Sequence, residues 1–145
     1  MLKPLVMLVD DEAPFVETMT KRLKKRELKV MNAFSGLEAL EKIDKNRNTD
    51  VVILDVKMPG IDGLETLERI KKSYPIIEVI MLTGHATVEN AIEGMKRGAF
   101  DYLMKPCDLE QLMLKVNEAT IKKRDHENKI KEAKVKEALT THGLE

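Results

Sequence analysis

The chain has no tryptophan, two tyrosines, three phenylalanines and one cysteine in 145 residues. A single cysteine, Cys107, excludes an intramolecular disulfide and agrees with a reducing compartment. With aromatics at 3% and hydrophobic residues at 43%, the core has to be aliphatic, and the nine methionines fill gaps in it rather than carry chemistry. No apolar run approaches the roughly 20 residues of a membrane span, and Met1 to Val9 is too short for a secretory leader. The sequence therefore reads as a soluble cytoplasmic protein without a membrane partner. Net charge is also lacking: Lys plus Arg and Asp plus Glu each number 25, so no overall field favours nucleic acid or an anionic surface. Residues 1–120 hold 18 basic and 20 acidic side chains, whereas 121–138 hold 7 and 4, so the terminal segment is the basic part. Bases so interspersed with acids make a poor instrument for reading nucleotide sequence, and direct sequence-specific nucleic-acid binding is not expected.

What the chain does contain is five alternations of an apolar, β-type run with an amphipathic helical pattern, the signature of βαβ units and a parallel sheet. The expected strands are Leu5 to Val9, Leu28 to Ala33, Val51 to Leu54, Ile76 to Leu82 and Phe100 to Met104. Runs such as Val51-Val52-Ile53-Leu54 lack alternation, as strands covered on both faces do. Between them Phe15, Met19 and Leu23 share a helical face, as do Leu64, Leu67 and Ile70, and then Val88, Ala91, Ile92 and Met95. Each stripe is expected to pack on the sheet. Ser35 with Glu38 and Asp108 with Gln111 read as capping-box starts for the second and fifth helices, and Gly98 reads as a helix stop. The fold class is α/β, a doubly wound five-stranded parallel sheet with five helices, the last extended.

That last helix is too long for a core element. Leu109, Leu112, Val116 and Ala119 give a core-facing stripe, but from Lys122 onward only Ile130, Val135 and Leu139 interrupt the polar residues. Helical from 109 to 138, it would reach about 45 Å, and its second half would leave the domain. A heptad through Leu112, Val116, Ala119, Lys123, His126, Ile130 and Ala133 puts polar groups at seam positions, so a coiled coil is weakly supported. The expected division is a domain over 1–120 and a helical extension or linker and tail over 121–145, frayed from Thr140 to Glu145.

Four of the apolar runs end in residues suited to a phosphoryl group: Asp10 with Asp11, Asp55, Thr83, and Lys105 before Pro106. In a parallel sheet the strand carboxyl ends open on one edge, so these residues converge there. Two adjacent carboxylates repel unless a cation relieves them, and an all-oxygen donor set suits Mg²⁺ better than zinc. Asp55, placed by the turn Met58-Pro59-Gly60, is a carboxylate able to attack phosphorus and form an aspartyl phosphate. The Thr83 hydroxyl can donate to a phosphoryl oxygen, and the Lys105 ammonium can offset its charge. The Lys105-Pro106 peptide has the option of a cis bond. Capping by Asp11 or Glu12, a turn role for Asp55, a structural Thr83 and a surface Lys105 are the plain alternatives, residue by residue.

Val9-Asp10-Asp11-Glu12, Leu54-Asp55-Val56-Lys57-Met58-Pro59-Gly60-Ile61-Asp62-Gly63, Leu82-Thr83-Gly84-His85 and Gly98 to Pro106, in this order and spacing, resemble the receiver domain of bacterial two-component response regulators. The resemblance covers residues 4 to about 120. It implies a flavodoxin-like fold with strand order 2-1-3-4-5. It implies Asp55 as phosphoacceptor, with Asp11, Asp55 and the backbone carbonyl of Lys57 as Mg²⁺ ligands and Asp10 acting through a metal-bound water. Thr83 and Lys105 match the groups that contact the phosphoryl moiety, and Tyr102 matches an aromatic switch that turns inward with Thr83. Lys57 and His85 match positions that flank the site and tune dephosphorylation.

The implied function is signalling rather than turnover: self-phosphotransfer from a sensor histidine kinase or phosphotransfer protein, then autodephosphorylation. The partner is expected to dock on the first helix, around Phe15 to Lys25. The surface of the fourth helix, fifth strand and fifth helix would then switch for dimerisation or control of an output domain, with Glu93, Lys96, Arg97, Asp101 and Glu118 as its charges. Thr83 to Thr87 and Phe100 to Asp108 look most like receivers of the nitrogen-regulator type, which are joined to an ATPase and a DNA-binding domain and regulate transcription. Neither a GxxxxGK[ST] loop nor a helix-turn-helix pattern follows residue 120, so a stand-alone receiver and the front of a longer regulator both stay open. Two alternatives come from other classes: a pseudo-receiver that binds partners without phosphorylation, and an aspartyl-phosphate hydrolase. The hydrolase would carry a DxD pair on one strand, whereas Asp10 and Asp11 are adjacent here.

Overall fold

Every residue of Val51–Leu54 and of Glu78–Thr83 is buried, so these strands need cover on both faces. The computed structural model, which describes residues 3–141, supplies that cover with helices on either side of one sheet. Among the described residues the order is β1 (Leu5–Val9), α1 (Ala13–Lys25), β2 (Lys29–Ala33), α2 (Gly36–Lys45), β3 (Val51–Leu54), α3 (Gly63–Ser73), β4 (Glu78–Thr83), α4 (Val88–Lys96), β5 (Asp101–Met104) and α5 (Leu109–Thr141). All neighbours pair in parallel, in the order β2-β1-β3-β4-β5. This is the doubly wound, flavodoxin-like topology expected from the sequence. The strand order reverses between β1 and β3, and the crevice at their carboxyl ends is where such sheets bind ligands.

The pleat sorts the apolar residues into two cores. Met7, Val9, Val52, Leu54, Val79 and Met81 meet α2 and α3 through Ala39, Ile43, Leu67 and Ile70. Val6, Leu8, Val51, Ile53, Ile80 and Leu82 face the other way, against Val16, Met19 and Leu23 of α1 and Leu112, Val116 and Ala119 of α5. Strand starts differ from expectation by one or two residues, because Leu28, Ile76, Ile77 and Phe100 belong to the entering turns.

Local signals hold at several ends. Ser35 Oγ accepts from the Glu38 amide at 3.1 Å, and Gly98 sits at φ 104° just past α4, a conformation that glycine adopts without strain. Asp108 behaves otherwise. Its carboxylate faces the Glu110 amide at 3.4 Å, and Gln111 reaches toward the Cys107 sulfur instead of capping back.

One further expectation needs correction. The stripe Val88, Ala91, Ile92 and Met95 does not pack on the sheet: Val88 is 72%, Ile92 51% and Met95 48% exposed. α4 instead turns buried Gly94 inward, where a Cβ would stand 3.4 Å from the Tyr102 ring, so its small residues make the close approach and its large ones face out. The weak support for a coiled coil through Leu112, Val116, Ala119 and Lys123 agrees with the packing, since those four side chains are buried within the chain's own fold.

The body also grips α5 beyond residue 120. Lys123 is buried, with its ammonium 3.3 Å from Asp50 and 3.1 Å from Glu127. Arg124 forks onto both Asp50 oxygens at 3.2 and 3.1 Å and also donates to the Lys3 carbonyl. Lys122 stands 3.1 Å from buried Glu78. From Asn128 to Thr141 the helix is exposed at every position. Thr140 and Thr141 are still helical, so the expected fraying does not begin there, and its remainder, 142–145, lies outside the described residues.

Candidate functional site

Two strand ends carry the acids. Asp10 continues β1, and its amide donates to the Ala33 carbonyl, while the Asp55 amide donates to the Val9 carbonyl. Backbone ladders thus fix where both side chains leave the sheet. Asp10 Oδ1 accepts from the Glu12 amide at 2.9 Å, and Asp55 Oδ1 accepts from the Val56 amide at 2.8 Å, so each carboxylate keeps its second oxygen for the crevice. Glu12 sits at the helix N-cap without a side-chain cap, so capping does not account for this acidic run. Asp10 and Asp55 are buried and Asp11 is exposed, and one oxygen from each lies within 4.8 Å of the others.

The opposite wall comes from β4 and β5. The Lys105 amide donates to the Thr83 carbonyl, which sets the lysine beside the threonine. Its ammonium is 2.6 Å from Asp10, 3.4 Å from Glu12 and 3.9 Å from Asp55, with the side chain only 14% exposed. The Lys105-Pro106 bond is cis. Thr83 is fully buried, and its oxygen accepts from the His85 amide at 3.0 Å, which leaves the hydroxyl proton free to donate. Behind the site, a Cβ on Gly63 would stand 2.0 Å from the Asp55 carbonyl oxygen, so only glycine lets α3 start against this strand end. Asp11, Glu12, Asp55, Lys57, Met58, Pro59 and His85 line a cavity of about 260 Å³ over the cluster.

Electrostatically the crevice is unbalanced: four carboxylates, of Asp10, Asp11, Glu12 and Asp55, face one ammonium. Burial is the main reason that the Asp10 carboxyl titrates above its ordinary value, and the Asp55 charge adds to it against the hydrogen bonds from Lys105 and Glu12. For Lys105 burial works toward neutrality, but the hydrogen bond to Asp10 and the charges of Asp10, Asp55 and Glu12 outweigh it and raise its pKa. A cation is what this donor set lacks. Oxygen ligands of fixed charge, several of them oriented by backbone amides, fit a small hard divalent ion.

The structure brings Asp10, Asp11, Asp55, Thr83 and Lys105 to one sheet edge and rejects a surface role for Lys105. Lys57 and His85, both exposed, line the cavity mouth. Tyr102 packs on the α2–α3 side of the sheet, and its hydroxyl is buried without a hydrogen-bond partner among the described residues. Burial pushes its phenol up. The sequence reading missed three contributors. Glu12 faces Lys105, Phe15 places its ring 3.9 Å from the Lys105 ammonium, and Gly63 makes room for Asp55. Glu12 carried a signal in its place beside the Asp pair and Gly63 in its place at the end of the Asp55 motif, whereas nothing local tied Phe15 to Lys105.

Residues 6–117 match the response regulator receiver domain family. The chain is 36% identical over 127 residues to the transcriptional regulatory protein ZraR of Klebsiella oxytoca, covering 88% of this chain and 28% of that protein. It is 34% identical over 119 residues to the DNA-binding transcriptional regulator NtrC of Escherichia coli strain K12, covering 82% of this chain and 25% of that protein. It thus spans about a quarter of the length of these relatives. A receiver domain protein from Clostridium thermocellum superposes with a TM-score of 0.80 at 38% identity, over 83% of this chain and 97% of that one. No described helix is long and apolar enough to cross a membrane. Sheet order, acidic crevice and sequence match agree: the chain belongs to the response regulator receiver domain family of two-component signalling systems.

Proposed function

We propose that Asp55 accepts a phosphoryl group from a phosphohistidine on a sensor kinase or phosphotransfer protein. The observation that carries this reading is the Asp55 carboxylate, buried at the strand end with Lys105 at 3.9 Å and two further aspartates beside it. An Asp55 oxygen attacks phosphorus in line, the P–N bond breaks with its electron pair going to the imidazole nitrogen, and that nitrogen takes a proton. Asp11, Asp55 and the Lys57 backbone carbonyl would hold Mg²⁺, with Asp10 orienting it through water. When bound, the ion neutralises charge on the phosphoryl oxygens. Lys105 then leaves its contact with Asp10 for the new anion, and Thr83 donates its free hydroxyl proton. His85 and Lys57 govern water entry at the cavity mouth and so the lifetime of the acyl phosphate.

The output we infer is a shift of the α4–β5–α5 surface through Thr83 and Tyr102. Val88, Ile92, Met95 and Met104 form an exposed apolar strip there, which supports pairing of two subunits or docking of an output domain. Around it Arg97 pairs with Glu93 and Glu68, while Lys115 bridges Asp101 and Glu118. We place the folded unit at residues up to about 127, with the rest of α5 as linker, in a cytoplasmic protein.

Intact mass after incubation with a small phosphodonor and Mg²⁺ tests the chemistry, with Asp55→Asn and a metal-free sample alongside. A Mg²⁺-dependent adduct on the wild type alone is expected, with a sizing column reading any dimer. No adduct under conditions that label another receiver would favour the pseudo-receiver reading.

A further inference from the structure

We propose that Phe15 is a positioning residue for Lys105, holding its ammonium in line with Asp55 through the face of the aromatic ring. This rests on the reading of Lys105 as the cation that meets the phosphoryl group. Phe15 lies in the first turn of α1, half-buried, and packs on the core beneath that helix. The Lys105 ammonium stands over its ring, 3.9 Å from the centroid, inside the range where a ring quadrupole attracts a cation.

The need for such a device follows from the competition around the ammonium. A lysine head on a flexible four-carbon stem has no fixed direction of its own. Asp10 holds it at 2.6 Å, and Glu12 draws it at 3.4 Å toward the solvent, Glu12 being 62% exposed. Asp55, the carboxylate it must serve, is the farthest of the three at 3.9 Å. The ring occupies space that water would otherwise fill and replaces hydration with a fixed electrostatic partner. A leucine at 15 would fill much of the volume without the quadrupole, and the ammonium would swing toward Glu12 and the cavity mouth.

Phe15 also opens the α1 segment on which a phosphodonor protein is expected to dock. One side chain is then shared between partner contact and cation placement.

The test uses the full chain with phenylalanine at 15 carrying one, two or three ring fluorines, which weaken the quadrupole at nearly constant shape, together with Phe15→Tyr and Phe15→Leu. Phosphoryl uptake from phosphoramidate with Mg²⁺ is followed by intact mass. The maximal rate is expected to fall stepwise with fluorination and by about fivefold in Phe15→Leu, as a loss of roughly 1 kcal/mol implies, and to stay near wild type in Phe15→Tyr. Half-saturating donor concentration should change little. In parallel, the Lys105 Cε protons should show an upfield ring-current shift that Phe15→Leu abolishes. A trifluorinated protein that reacts at the wild-type rate, or Lys105 resonances indifferent to residue 15, would overturn the proposal. Were the wild type to take no phosphoryl group, the function assigned to Asp55 would fall, while the ring-current arm would still decide whether Phe15 holds Lys105.

Discussion

The sheet carries acids on both of its edges, at the carboxyl ends of β1 and β3 and at the amino ends of β3 and β4, and the two edges are opposites. At the carboxyl edge Asp55, with Asp10, Asp11 and Glu12, meets a single ammonium. At the amino edge Asp50 precedes β3 and Glu78 opens β4, and each has two or more cations. Asp50 has Lys123 and Arg124 with the Leu5 amide, and Glu78 has Lys71 and Lys122. A carboxylate is therefore a structural anchor where basic partners saturate its charge and a source of uncompensated negative charge where they do not. Saturation also explains the basic run of α5: Lys122, Lys123 and Arg124 close the bottom of the sheet, and the helix leaves the body along one direction.

The largest effect that can break this contrast is Asp50→Ala. It strips buried Lys123 and half-buried Arg124 of their common partner, and about 3 kcal/mol of stability should be lost, the lower end for a broken buried pair because Glu127 remains. Urea unfolding measures it, and a loss under 1 kcal/mol would mean that the amino edge does not anchor the helix. Phosphoryl uptake should be unaffected.

The carboxyl edge should answer in the other direction. Asp11→Asn removes one of four crowded charges and should stabilise the metal-free protein by about 0.5 kcal/mol. The same change should erase most of the stabilisation that Mg²⁺ gives the wild type, about 2.7 kcal/mol at a hundredfold excess over its dissociation constant. Thermal melts with and without Mg²⁺ read both, and equal metal shifts in the two proteins would remove Asp11 from the ligand set.

Acid sharpens the comparison further. Burial disfavours the Asp50 anion, but the Arg124 hydrogen bonds, the Leu5 amide and the Lys123 charge prevail and hold its pKa below the ordinary value of 3.8. A lowered carboxyl pKa means stability that is complete above the unfolded value and lost as pH falls through the folded one. The stability gap between wild type and Asp50→Asn should stay constant from about pH 8 to 5 and close only below about 4. The smallest effect belongs to the free part of α5: Lys129 pairs with Asp125 in solvent, and Lys129→Ala should cost below about 0.5 kcal/mol.

Much of the crevice was legible because strand-end residues need no long-range contact to be placed once the sheet is parallel. Asp10, Asp55, Thr83 and Lys105 each end or follow a β-type strand run, and topology alone gathers them. The α4 stripe was misread because helical periodicity identifies an apolar face without saying what covers it; Gly94 permitted a closer approach than Val88, Ile92 and Met95 could make. The amino-edge anchor was invisible for another reason. Arg124 lies 74 positions from Asp50, and nothing local distinguishes a basic residue that will be buried from one that stays in water. Phe15 read as a core residue, since its second role exists only once β5 brings Lys105 over its ring.

The sequence by itself determined the alternation of strand and helix, the two-sided burial of β3 and β4 and the acids at the carboxyl ends of β1 and β3, because these depend on apolar periodicity and nearest-neighbour order. Only the tertiary structure decided which charges are compensated: Asp50 and Glu78 are met by bases from α3 and α5, whereas Asp10, Glu12 and Asp55 share one lysine, and that balance follows from packing distances that no local pattern encodes.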